Sequence, residues 1–349
     1  GTLEFLGGGN GSFKLGSGAT LVVGSGFTLS NFAVSKGITE QILAGGTSLN
    51  ATVSSGGTIV GIGLIAGQLT VRSGGTVNAN SGFALFISGS PGINAGKVEA
   101  TGSGILFIDS DLVNSASILA SGVGAGIGIQ NATVSNTSTG LMVASGTNEQ
   151  IDLFGGTILG GKLQTTKNGV VLATFGNNAI SGTTIVSGSD IQVVTGATLT
   201  AANLTIGANT ELAAFNAGVL TVSGGLIGAG DAVGAGAGGT ARIVGSVVNS
   251  GSLEAAGSGL VVLGGTLINT KGRILASGSG AVVSLSGATI SGGQWQTASG
   301  GIVETASGSH NVISSATIVS GSVIEVADGG ELTLSGAMAN AGTFAVSER

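Results

Sequence analysis

The chain contains no cysteine, which removes thiol nucleophiles, disulfides and thiolate metal sites together. One proline among 349 residues, with no glycine period of three, excludes a collagen-like triple helix. There is no tyrosine, one tryptophan and only 3% aromatic residue, too little for the aromatic girdles of a membrane-spanning β-barrel. Charged residues make up 7%, and 10 Lys plus Arg against 16 Asp plus Glu leave a net charge of −6. No basic stripe exists that could follow a phosphate backbone, which argues against nucleic acid as a partner. The uncharged stretch 112–148 is broken throughout by Gly, Ser, Asn and Thr, so it does not read as a membrane-inserting helix. The opening Gly1-Thr2-Leu3-Glu4-Phe5 lacks an initiator Met and a charged-then-apolar leader. The expectation is a segment excised from a longer protein.

What the chain has in quantity is glycine, 70 residues, together with 42% hydrophobic residues and a positive mean hydropathy of +0.57. That apolar content argues against a disordered low-complexity chain. Gly, Thr, Ser, Asn and Val disfavour helix, and no long amphipathic run is present. Near the C-terminus the glycines keep a period. Gly251, Gly272 and Gly293 are each followed two residues later by Leu253, Ile274 and Trp295, and the pair returns as Gly321 with Val323 and Gly342 with Phe344. A second series, Gly259, Gly280, Gly301 and Gly329, runs in phase with it. The longer step before Gly321 reads as a seven-residue insertion. Between these corners lie strand-length alternating runs such as Leu260-Val261-Val262-Leu263. Such self-similarity marks a stack of units, none able to bury its apolar face alone. The fold class is all-β: a right-handed parallel β-helix of about 16 coils of roughly 20–24 residues, the hand being that of parallel crossovers in general.

Similarity at longer range relates residues 93–134 to 248–290 and 157–200 to 289–333, so the blocks about 93–200 and 248–333 read as a duplication within one solenoid spanning 1–349. The Gly-rich segment about 224–240 lacks the Lys-Ser/Thr ending of a nucleotide loop and is expected to be an irregular loop or bulged coil between the blocks. Asn94, Asn114, Asn249, Asn269 and Asn340 recur at a corner, as turn formers or a ladder of side-chain amides.

Candidate chemical residues are few. His310 is the one histidine and is expected to face solvent in the insertion coil. Glu304, Glu325, Asp328 and Glu331 make the C-terminal part acidic, and Asp109-Ser110-Asp111 forms a D-x-D. Both read as solvated carboxylates, and the calcium-binding G-G-x-G-x-D repeat is missing. Trp295 stands where equivalent coils have Leu253 and Ile274, so it is expected in the core. No catalytic, cofactor-binding or metal-binding residue is assigned, no cofactor is expected and the chain reads as a non-enzyme. Carbohydrate-active β-helix enzymes gather Asp, Lys and Arg in a groove, whereas here the carboxylates are scattered along the sequence.

The run 37–58, GITEQILAGGTSLNATVSSGGT, resembles the passenger repeats of AIDA-type self-associating autotransporter adhesins, with a Gly-Gly-Thr corner, Asn-x-Thr-x-Val and then Ser-Gly-Gly. Gly301 to Gly330 is similar more loosely. NSGSLEAAGSG from Asn249 and NTKGRILASGSG from Asn269 resemble the β-strand repeats of large secreted surface proteins of Gram-negative bacteria. The resemblance implies a passenger exported to the cell surface and acting in adhesion, autoaggregation or biofilm formation. Its implied partners are a second copy along the solenoid, surface glycans, or host and abiotic surfaces. A structural stalk or filament spacer is the alternative. The low charge departs from the family and shifts any lateral contact onto Asn, Thr and Ser.

Overall fold

The computed structural model describes residues 1–5 and 15–347, in two compact units, Gly1–Val171 and Leu172–Arg349. Each unit is a right-handed parallel β-solenoid, and no helix occurs among the described residues. Counted along the chain there are about sixteen turns.

In the first unit each coil lays down three short strands, as in Thr20–Val23, Thr28–Ser30 and Ala33–Val34, before Thr39–Ile42 returns beside Thr20–Val23. The step is set by the register. Thr58 pairs with Thr76, 18 residues on, and Ser117 with Leu141, 24 residues on, so the early coils are shorter than the expected range. Alternation decides which side chains go inside. Val77, Val98, Ile118, Met142 and Leu163 are successive register partners, and all are fully buried. Each therefore packs on the apolar neighbour above and below, at a strand spacing of ~4.8 Å. The corners need left-handed backbone and close approach. Gly45 has φ 74°, and a Cβ on the following Gly46 would collide with the Val23 carbonyl of the preceding coil.

One corner of this unit holds a ladder of buried amides. Asn94 donates from Nδ2 to Asn114 Oδ1 at 2.8 Å, and Asn114 donates to Asn136 Oδ1 at 2.7 Å. Asn94 also accepts the Gly96 backbone N–H at 3.0 Å, fixing its own turn. The ladder stops at Asn136, whose Nδ2 has no partner, because the next coil places Gly160 there after Leu159 pairs with Ser135. Asn249 and Asn269 repeat the device in the second unit, Nδ2 to Oδ1 at 2.7 Å. Asn340 keeps the local turn bond to the Gly342 N–H but lies beside Ile318, so it joins no ladder. Asn114→Ala is expected to cost about 2–3 kcal/mol, since it removes two amide bonds and strands buried polar atoms. Val113→Ala, one residue away and 44% exposed, should stay within about 0.5 kcal/mol in the same denaturant titration.

In the second unit Val233, Leu253, Ile274, Trp295 and Ile318 are consecutive register partners, all fully buried. The expected continuation through Val323 and Phe344 is not found. Val323 pairs with Thr343 and Phe344 with Ile324, on another face. Nor is there a seven-residue insertion. The single strand Val282–Ser291 is answered on the next coil by two strands, Ile302–Thr305 and His310–Ser314, separated by a turn at Ser307 and Gly308. Glycine marks every corner alike, so a glycine series slips to the neighbouring corner when a turn is added. The segment 224–240 is also regular, contrary to expectation. Val219–Ile227, Ala232–Ala235 and Thr240–Val244 are ladder strands, because Ile227, Val233, Ala235 and Ala241 supply the inward alternation and the glycines fall at turns or outward positions.

Candidate functional surface

A solenoid shows solvent the outward half of each strand, and register turns those positions into rows. In the first unit one row runs Thr52, Thr70, Ile93, Val113, Ser135 and Leu159. In the second, a row runs Thr205, Leu226, Val248, Ile268, Ser291 and Ser314. Ile93, Val113, Leu159, Leu226, Val248 and Ile268 are between 37% and 47% exposed. Each unit thus carries an aliphatic ridge just outside its amide ladder. Single exposed apolar side chains are ordinary, but aligned ones form an apolar strip, unbroken from Leu226 to Ile268 and interrupted by Ser135 between Val113 and Leu159.

A second outward row in the first unit runs Phe86, Phe107, Gly128 and Asp152. Phe86 and Phe107 are register partners with rings stacked at 5.2 Å and 14°, and Phe154 stands 6.3 Å beyond Phe107. The strand between them, Gly126–Gln130, has glycine at two outward positions, Gly126 and Gly128. Phe107 leans over Gly128, where a Cβ would strike its ring. Gly126 has open space beside it, with nothing within 4 Å of a Cβ. The result is a notch of about 220 Å³ lined by Ile105, Phe107, Gln150, Asp152 and Phe154, among others. Burial pushes the Asp152 carboxyl up to about 6.

A notch of about 270 Å³ in the second unit has a related construction, Phe215 covering Gly236, but is lined by two carboxylates, Glu211 and Glu254. Burial raises the Glu211 pKa, with the charges of its register partner Asp190 and of Glu254 adding to it. Asp190 is itself raised by burial, against a 2.9 Å hydrogen bond from Gln192.

The other candidate residues do not converge. His310 is exposed, at the start of a strand rather than in an insertion, with Nδ1 2.6 Å from Glu331 Oε2 on the neighbouring coil. Both lie open to water, so the pair does little for stability. Glu304 and Glu325 are register partners, stacking like charges outward. Asp111 accepts the Thr133 backbone N–H at 2.8 Å and serves as a corner cap, while burial raises the Asp109 pKa. Among the described residues no group of three His, Asp or Glu is placed to hold a metal ion. Trp295 is in the core, fully buried. The phenylalanine cluster had no local sequence motif. Phe86 and Phe107 lie a coil apart and only alignment of outward positions coil by coil would have brought them together, while Phe154 falls in the Gln130 row, two positions along, and reaches Phe107 only through the placement of its ring.

No family model and no curated protein sequence matches the chain. Among solved structures it is similar to the "TibC-catalyzed hyper-glycosylated TibA55-350 fragment", at 17% identity and a TM-score of 0.34, over 91% of this chain and 99% of that chain.

Proposed function

We propose that this chain is a non-enzymatic segment of a secreted or surface-displayed protein of a Gram-negative bacterium, acting in adhesion, autoaggregation or biofilm formation. The observation that carries the reading is the aliphatic ridge in each unit, Ile93 to Leu159 and Leu226 to Ile268. The likeness of 37–58 to self-associating passenger repeats supports it. A ridge of this kind offers a weak contact on most of its coils, and weak contacts repeated along a stiff face sum by multivalency without any single strong site. The scarcity of charge favours the same use, because close lateral approach then desolvates few ionised groups.

Beads coated with the purified chain are expected to clump. A Val113→Asp, Val248→Asp variant puts a carboxylate into each ridge and should abolish clumping, while its melting transition stays within a few degrees because both positions are half exposed. Wild-type beads that remain dispersed would favour the stalk reading, in which the solenoid only holds another module away from the cell.

A further inference from the structure

We propose that the notch over Gly126 in the first unit is a binding site for one neutral pyranose ring. The geometry separates two kinds of wall. On one side stand Ile105 and Phe107, on the other Gln150 and Asp152, with Phe154 and Asn148 at the margins. A pyranose has the matching asymmetry, a face of C–H bonds and a rim of hydroxyls. Sites for small ligands are commonly built this way, with apolar and aromatic surface for contact area and a few placed polar groups for orientation.

The polar wall is uncommitted. Register places Gln150 beside Gly126 and Asp152 beside Gly128, so neither faces a side chain on the preceding coil. Among the described residues no side-chain hydrogen bond engages Asn148, Gln150 or Asp152, which leaves two amides and a carboxylate to meet hydroxyl groups. The aromatic wall is already in position. Phe107 is held by the stacked ring of Phe86 and by the bare backbone of Gly128 beneath it, so little ordering is required on binding.

Size and charge narrow the ligand. At about 220 Å³ the notch is below the ~300 Å³ at which ordinary small-molecule pockets begin, which suits a single ring and not an extended cofactor. The lining has a carboxylate and no Lys or Arg, so phosphate groups and acidic sugars are disfavoured. This site is independent of the ridge contacts, which lie on a different row of side chains.

The test is saturation-transfer NMR on the full chain with methyl glycosides of glucose, galactose and mannose and with N-acetylglucosamine, alongside tyrosinamide as an aromatic protein-like probe. Transfer to the ring C–H protons of at least one sugar is expected, with a dissociation constant of about 1 mM or weaker. Gly126→Gln fills open space at an ordinary backbone conformation, so it should fold normally and lower sugar binding by about tenfold or more. Asp152→Asn keeps the shape, removes the anionic acceptor and should weaken binding by roughly tenfold. Bead clumping should be unchanged in both. The proposal is overturned if no sugar shows transfer, if Gly126→Gln and Asp152→Asn bind sugar as well as the wild type, or if tyrosinamide alone occupies the notch.

Discussion

Glu40→Gln is expected to stabilise the first unit by about 3 kcal/mol at pH 8 and to leave it nearly unchanged at pH 4.5. Glu40 points into the solenoid, with Leu21 and Ile59 as its register partners, and is fully buried. Burial pushes its carboxyl up to about 7, from an ordinary value of 4.5. The nearby Ser48 hydroxyl draws it down slightly, yet no well-formed hydrogen bond reaches either carboxylate oxygen, so desolvation dominates. An acid whose folded pKa is raised binds more protons in the folded state than in the unfolded state between the two values. Stability therefore falls as pH rises from about 4.5 to about 7 and is level above that. Asp152, raised to about 6, tilts the profile in the same direction, which makes the difference between wild type and variant the informative quantity. Denaturant titrations at pH 4.5, 6 and 8 should diverge progressively. Parallel curves for the two proteins would show that Glu40 is hydrated and not buried.

Trp295→Ala should destabilise the second unit by about 3–5 kcal/mol, the range for emptying a large buried side chain. Trp295 lies between Ile274 and Ile318 on the neighbouring coils, and all three are fully buried. In a stacked repeat the void weakens two interfaces, that with the coil before and that with the coil after. The indole Nε1 has no hydrogen-bond partner, so the site carries a polar cost that a smaller apolar residue avoids. Trp295→Leu, which restores the residue type of Leu253, should therefore recover much of the loss. Intrinsic fluorescence cannot follow the variant, since this is the chain's one tryptophan, and circular dichroism serves instead. A loss below about 1 kcal/mol for Trp295→Ala would mean that neighbouring coils collapse into the space.

The parallel stack was legible from Leu253, Ile274 and Trp295, because adjacent coils repeat an inward apolar position in step with glycine. The Asn94 and Asn114 ladder was legible for the same reason. The corner assignments beyond Trp295 were not. A glycine satisfies any tight corner, so Gly321 looked equivalent to Gly293 while the extra turn at Ser307 and Gly308 had moved the chain onto a different face. The segment 224–240 misled through composition, its few inward residues being enough to keep the ladder regular.

The sequence by itself determined the class of fold, the stacking of like on like and the residues that fill the core, since backbone pairing and apolar burial depend only on local alternation and period. Tertiary structure alone decided what the outside presents. Ile93 meets Val113, Phe107 overhangs Gly128 and Glu40 turns inward because register sets residues about twenty positions apart side by side, and a change of one residue in a corner alters every such pairing.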